Sequence, residues 1–249
     1  MALNTPTKES MSLSQGFQPL YRQVYDLLTQ RIVQNYWKPS ESLPSEMALA
    51  AELGVSQGTV RKALNQMVAE NLLQRRQGKG TYVAEHTNES SLFRFFRLRE
   101  PAGESLIPET QVIDSKRRAP TAVEQAALNL KDDTQVVELT RLRTLLGEPA
   151  IIERVIQPLS VFPDIDKVTE LPNSMYTLYQ ERYGITIMSV RDELRAVKLP
   201  KDLAPHLGLP EGDAVLMVER QSVNIDGRVV EWSQAYCDSA RFVYSVELK

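Results

Sequence analysis

The chain has 249 residues, 42% of them hydrophobic and 24% charged, which is ordinary for a globular protein and long enough for two domains. One cysteine, Cys237, and two histidines, His86 and His206, exclude an internal disulfide and argue against a structural zinc site, so neither a metal nor a cofactor is expected. The net charge of -3 excludes a protein that is basic throughout, but the charge is uneven: residues 1–85 carry nine Lys and Arg against seven Asp and Glu, the remainder twenty against twenty-five.

Residues 1–16 are polar and lack the apolar core of an export signal, so they read as a disordered tail on a cytoplasmic protein. No apolar run is long enough for a membrane span. From Pro19, Leu20, Val24, Leu27, Leu28, Ile32 and Val33 mark one face of a helix that Pro39 and Ser40 end. Leu43-Pro44-Ser45-Glu46 opens a second, short helix, with Ser45 as its cap and Glu46 at the positive end of its dipole. Gly54 stops that helix. Ser56 caps a third, with Val60, Leu64, Met67 and Val68 on one face and Asn71 at its end. Extended segments at 72–75 and 81–83 follow, joined by Arg76-Gln77-Gly78-Lys79-Gly80. Helix, helix, turn, helix, hairpin is the order of a winged helix-turn-helix, placed at residues 17–84 with a linker over 85–97.

Residues 98–249 read as an α+β domain on an antiparallel sheet. Thr121-x-x-Glu124 is a capping box that starts a short helix. Strand-like runs lie at 136–146, 150–156, 189–197, 214–223 and 228–236. A repeat is visible as well. Leu128-x-Leu130, Asp132, Val136-Val137 and Arg141 recur as Leu207-x-Leu209, Glu211, Val215-Leu216 and Arg220. Each copy runs into a hairpin whose returning strand bears an acid, Glu153 or Glu231, which predicts two related units about a pseudo-two-fold axis.

The third helix of such a module presents its first turn to base edges in the major groove. Here that turn offers Gln57, Gly58, Arg61 and Lys62. Arg61 suits guanine and Gln57 suits adenine, each with two hydrogen bonds. Ser56 and Thr59, with the helix amides, suit phosphate oxygens. In the hairpin, Gly78 and Gly80 remove bulk while Arg75, Arg76 and Lys79 supply charge. A solvated basic hairpin would have the same composition, but its place directly after a helix-turn-helix favours DNA.

Residues 19–83 resemble the GntR family of bacterial regulators. The resemblance is carried by Pro19-Leu20-Tyr21, Leu43-Pro44-Ser45-Glu46, Val55-Ser56, Thr59-Val60-Arg61-x-Ala63-Leu64 and Gln77-Gly78-Lys79-Gly80-Thr81-x-Val83. It implies that Ser45 and Gln77 join the DNA contacts named above. Met47 and Gln57 stand where the family usually has arginines, which removes charge from the footprint. Residues 92–248 resemble the UTRA ligand-binding domain of the HutC branch, with a chorismate-lyase-like fold. That likeness rests on Arg141-x-Arg143, Gly147-x-Pro149, Glu153, Asp192-Glu193-Leu194, Val218-Glu219-Arg220, Asp226-Gly227 and Val230-Glu231.

Arg141 and Arg143 are two apart on a strand and share a face. If Gly147-Glu148-Pro149 is a three-residue loop, Leu146 faces Ala150 and Arg143 faces Glu153. Two arginines beside a carboxylate suit an anionic ligand that also carries hydroxyl or amine groups. The same residues also suit a structural salt bridge across the hairpin. By resemblance to sugar-phosphate-sensing regulators, the arginines bind phosphate, Ser174 and Tyr176 add phosphate ligands, and Glu153 and Glu231 bind the sugar.

The expectation is a DNA-binding transcription regulator, a repressor in type, acting as a homodimer on double-stranded operator DNA under the control of a small anionic metabolite. Phe93, Phe95 and Phe96, interleaved with Arg94, Arg97 and Arg99, read as a strand packing on the sheet rather than as a nucleic-acid contact. The rival reading is a chorismate-lyase-like enzyme fused to a DNA-binding module. Against it, the sequence offers no nucleophile–base pair and few histidines. A nucleoid protein without a ligand is a third reading.

Overall fold

The computed structural model describes residues 18–247, apart from 35, 86, 88–90, 93–94, 102 and 104–105. The expected tail at 1–16 lies outside the described residues, as do His86, Phe93 and Arg94. The chain divides into two compact units between Glu85 and His86.

In the first unit, helices α1 (Leu20–Val33), α2 (Glu46–Leu53) and α3 (Gln57–Ala69) precede a hairpin of β1 (Leu73–Arg76) and β2 (Gly80–Val83). Ser45 caps α2, its hydroxyl accepting the Ala48 amide at 3.1 Å, and Gly54 ends it at φ 65°. Ser56 caps α3 by accepting the Thr59 amide at 3.2 Å. The apolar stripes close on one another: Val24 and Leu28 of α1, Leu49 of α2, and Val60, Ala63, Leu64 and Met67 of α3 are all buried. Each large side chain so buried contributes roughly 1.5–3 kcal/mol, which is what makes three short helices a stable module. Leu72, Leu73 and Val83 carry the core into the hairpin. The stretch before α2 lies beside β2, with the Leu43 amide donating to the Thr81 carbonyl at 2.8 Å and the Val83 amide to the Glu41 carbonyl at 2.9 Å.

The second unit is built on a six-stranded antiparallel sheet. Its strands are β4 (Glu109–Arg118), β5 (Val136–Leu145), β6 (Glu148–Pro158), β7 (Ile187–Lys198), β8 (Ala214–Asn224) and β9 (Val229–Cys237), in the spatial order β4-β5-β6-β9-β8-β7. A separate two-stranded sheet pairs β3 (Leu98–Arg99) with β10 (Val243–Tyr244). Helices α4 (Ala122–Leu128) and α6 (Ala204–Leu207) pack on one face: Leu128 joins Ile156 and Trp232, and Leu203 and Leu207 join Ile152 and Tyr236. Helix α5 (Met175–Tyr183) packs on the other face, with Tyr176 and Tyr179 against Val137, Leu139 and Val155. The capping box at Thr121 and Glu124 is formed.

The strand order is palindromic. Each half is strand, helix, strand, strand, and β6 and β9 meet at the centre. The register repeats too. Asp114 pairs with Thr140 in the first half and Glu193 with Glu219 in the second. Both hairpins are bulged at the same point of the repeat, after Arg143 in one and after Ser222 in the other. This is the arrangement expected of two related units. The two acids, however, are not equivalent. Arg141 pairs with Glu153 and its counterpart Arg220 with Ser233, whereas Glu231 pairs with Ser222, the counterpart of Arg143.

Two features departed from expectation. The first hairpin turns on Leu146 and Gly147, both at positive φ (55° and 81°), so the loop has two residues and not the three of Gly147-Glu148-Pro149. A turn with positive φ at both central positions matches the right-handed twist of the strands, and that match outweighs the strain at Leu146. In consequence Arg143 pairs with Ile151, and Arg141 with Glu153. Strand β4 was not anticipated. It is an edge strand, half-buried or exposed along its whole length, and an edge imposes little apolar alternation. In the expected linker, Leu92 and Phe95 are buried within the second unit, but Ser91, Leu92 and Phe95 are helical, not the strand packing on the sheet that the sequence suggested.

Candidate functional site

The first unit carries an exposed basic surface. Gln57, Gly58, Arg61 and Lys62 stand at the start of α3, exposed, while Val60 and Ala63 turn inward. Ser45 and Ser56 are spoken for as helix caps, and Ser56 also shares a 2.9 Å hydrogen bond with the Thr59 hydroxyl. In the wing, Arg75, Arg76, Gln77, Gly78, Lys79 and Gly80 are all exposed. Gly78 and Gly80 have φ of 69° and 116°, and the wing's tight turn depends on that conformational freedom. Aromatic rings support two of the cations: Lys62 Nζ lies 4.0 Å from the centre of the Tyr21 ring, and the Arg76 guanidinium lies 4.3 Å from that of Tyr82. Met47 is 70% exposed at the start of α2. Sequence reasoning missed the role of Glu46, whose carboxylate bonds Arg61 at 2.8 Å and Arg75 at 3.2 Å.

The second unit contains a pocket of about 720 Å³, counted to its open mouth, on the α5 side of the sheet. Arg141, Arg143 and Glu153 enter it from the first half of the sheet, and Arg220, Glu231 and Ser233 from the second. Phe95 and Phe96 line it, as do Ser174 and Tyr176 at the start of α5. The central strands thus bring together residues that are far apart in the sequence.

Its electrostatics are those of buried cations with too few anions. Glu153 Oε1 accepts from Arg143 Nε at 2.8 Å and lies 2.6 Å from Arg141 Nη2 as an ion pair. Burial alone would raise the Glu153 carboxyl, but the charges of Arg141 and Arg143 overcome it and hold the group at about 2. Arg143 also lies 5.8 Å from the centre of the Phe96 ring. Arg141 is 4% exposed, and its Nε and Nη1 have no hydrogen-bond partner among the described residues. Arg220, by contrast, has a firm carboxylate partner: Nε and Nη2 grip the two Asp192 oxygens at 2.7 Å each, and Nη2 also reaches the Phe95 carbonyl at 2.8 Å.

Opposite the arginines lies a hydroxyl network. Ser222 donates to Glu231 Oε1 at 2.9 Å, and Tyr179 donates to Oε2. Tyr176 and Ser222 share a 2.8 Å hydrogen bond, and Gln157 donates to the Tyr179 hydroxyl at 2.5 Å. Burial raises the Glu231 carboxyl above its usual range. Ser174, the N-cap residue of α5, makes no side-chain capping bond, and with Met175 and Tyr176 it brings the start of that helix to the pocket wall.

All six residues expected at the second site line this pocket. Arg143 and Glu153 form the ion pair that the structural reading expects, and the pair lies in the pocket wall. Arg220 and Phe95 were missed as site residues. The internal repeat held a clue to the first, since it aligns Arg220 with Arg141. Glu193 is exposed and bonded to Arg195, and Cys237 is buried.

Among known proteins, residues 20–83 match the model for bacterial regulatory proteins of the gntR family, and residues 104–243 match that for the UTRA domain. The chain is 31% identical over 230 residues to the HTH-type transcriptional regulator SmoD of Agrobacterium fabrum, covering 92% of this chain and 96% of that protein. The chain belongs to the GntR family. It is also 29% identical over 221 residues to the mannosyl-D-glycerate transport/metabolism system repressor MngR of Escherichia coli K12, covering 88% and 91% of the two. The fold is shared with PhnF from Mycobacterium smegmatis, at a TM-score of 0.54 and 19% identity over 91% of this chain and 99% of that one. This GntR-family protein is therefore a DNA-binding transcriptional regulator with a UTRA domain, and its relatives do not support the lyase reading. Among the described residues, no helix is long and apolar enough to cross a membrane.

Proposed function

We propose that this regulator is a repressor whose hold on operator DNA is released by a small anionic metabolite bearing hydroxyl or amine groups. The observation that carries the reading is Arg141, buried in the pocket wall with two unpartnered nitrogens. Each buried, unsatisfied donor costs about 1–3 kcal/mol, and more when the group is charged. A phosphate or carboxylate seated between Arg141 and the start of α5 would relieve that cost. The Glu231, Ser233 and Tyr176 side of the pocket suits the ligand's hydroxyl or amine groups. The name of MngR, with its hydroxylated acid, is in keeping with such a ligand.

In the first unit, the exposed start of α3 would read bases through Gln57 and Arg61, with the wing on the backbone. A homodimer acting in the cytoplasm fits this role, because one winged helix buries little DNA surface and paired half-sites need two. Regulation would pass through residues 91–98. Ser91, Leu92, Phe95, Phe96, Arg97 and Leu98 line the pocket and lie in the stretch that leads on from the DNA-binding unit, and the Phe95 carbonyl is held by Arg220.

The test is a thermal-shift screen of sugar phosphates, sugar acids and small organic acids. A true effector stabilises the protein by an amount that grows with the logarithm of ligand concentration above its Kd and releases it from DNA. It does neither for Arg141→Ala, which should bind it roughly 10–100-fold more weakly, as expected for loss of charged hydrogen bonds. A hit that acts equally on Arg141→Ala, or a neutral hit with no polar groups, defeats the reading.

A further inference from the structure

One acid sits within the basic surface of the first unit. Glu46 opens α2, yet Ser45 already caps that helix, and the Glu46 carboxylate reaches across to two other elements. Its Oε2 accepts from Arg61 Nε at 2.8 Å and from Gln57 Nε2 at 3.3 Å, both on α3. Its Oε1 accepts from Arg75 Nη2 at 3.2 Å, on β1. Exposed ion pairs add little to folding, and the Arg61 side chain is 54% exposed. A carboxylate on a surface that meets phosphate also repels DNA. Stability and raw affinity therefore give no reason for an acid at this point.

The geometry of Arg61 gives one. Glu46 engages Nε, and Nη1 and Nη2 have no hydrogen-bond partner among the described residues. Those two nitrogens form the end-on edge of the guanidinium, which can donate two parallel hydrogen bonds to O6 and N7 of guanine. A free arginine must lose rotamer freedom to do this, whereas one already held at Nε loses less. Through Arg75 the same carboxylate ties the wing to the recognition helix.

We propose that Glu46 is a positioning residue for sequence readout, holding Arg61 with its guanine-binding edge free and coupling Gln57 and the wing to it. It lowers affinity for DNA in general and raises discrimination among sequences. The inference rests on the reading of this surface as the one that meets DNA.

The experiment compares a duplex selected by the wild-type protein from a randomised pool with a shuffled duplex of the same composition. Glu46→Gln keeps the size of the side chain and removes its charge. It should bind the shuffled duplex about threefold more tightly, since one repulsive charge is gone. Its ratio of selected to shuffled affinity should fall by roughly tenfold, within what one bidentate base contact supplies. Arg61→Ala should lower the ratio at least as far, and adding Glu46→Gln to it should lower the ratio no further. Two outcomes overturn the proposal while leaving the DNA surface in place: an unchanged ratio in Glu46→Gln, as equal tightening on both duplexes would give, or a loss that adds to that of Arg61→Ala. If Arg61→Ala itself keeps the full ratio, the reading of the surface falls and this inference with it.

Discussion

Each unit of this regulator places one carboxylate between two arginines, and the settings are opposite. In the first, Glu46 is shared by Arg61 and Arg75, whose side chains are about half exposed. In the second, Glu153 is shared by Arg141 and Arg143, both nearly inaccessible to solvent. The surplus positive charge is one in each case. On the surface, water solvates the free edge of Arg61 at little cost, and the edge stays available to DNA. In the pocket the Arg141 Nε and Nη1 atoms are buried without a partner, a cost that a bound anion would relieve. On the proposed reading, the same side chains would serve as a reader of exposed bases in one place and as a small-molecule site in the other.

The sharpest way to break this comparison is to remove the shared acids. Glu153→Ala leaves two buried guanidinium groups without their carboxylate, a change that typically costs about 3–5 kcal/mol. Calorimetry of the full chain should show the second unit's transition lowered by something on the order of 10 °C. A shift within a degree or two would mean that the pocket is far wetter than its geometry implies.

Acid should do gradually what that substitution does at once. The Glu153 carboxyl is held at about 2 in the folded chain against an ordinary value of 4.5, with burial opposing and Arg141 and Arg143 prevailing. A depressed carboxylate contributes its full stability above the unfolded value and loses it as the pH falls through the folded one. Melting of the second unit should therefore drop steadily between about pH 4.5 and pH 2. Glu124 and Glu138, lowered by Arg118 and Lys116 against the cost of their own burial, add to the same trend. Glu153→Gln should flatten the slope, and an unchanged slope would move the acid sensitivity to those two residues.

Smaller effects are expected on the exposed side. Arg61→Ala should cost about 1–3 kcal/mol on the preferred duplex and relax the sequence preference at one position, as read by gel shift on single-base variants. Lys79→Ala in the wing should weaken binding to every sequence alike. It should also reduce the slope of log affinity against log salt by roughly 0.9, the share of one phosphate contact. A sequence-dependent effect of Lys79, or a uniform one of Arg61, would invert the roles assigned to helix and wing.

Local chemistry was enough to read much of this fold. Ser45, Gly54 and Ser56 stand at the ends of their helices because capping depends on near neighbours in the chain. The apolar stripes of α1 and α3 show which faces meet, and the paired arginines on β5 share a face because strands alternate. Strand β4 and helix α5 were not legible. The first has an exposed edge, and the second carries polar groups such as the Tyr179 hydroxyl inward to Gln157 and Glu231 elsewhere in the fold.

What the sequence determined by itself was the kind of protein: a winged helix followed by a sheet domain with arginines and acids on one face. Three matters were left to the tertiary structure. It put Arg141, and not Arg143, opposite Glu153, because a two-residue turn and a bulge shifted the register. It brought Arg220 and Glu231 into the same pocket, because the two halves of the repeat join at β6 and β9. It also left Arg141 short of partners while Arg220 found Asp192. Register, pairing across a symmetric sheet and the count of satisfied hydrogen bonds all depend on residues distant in the chain, and no local pattern encodes them.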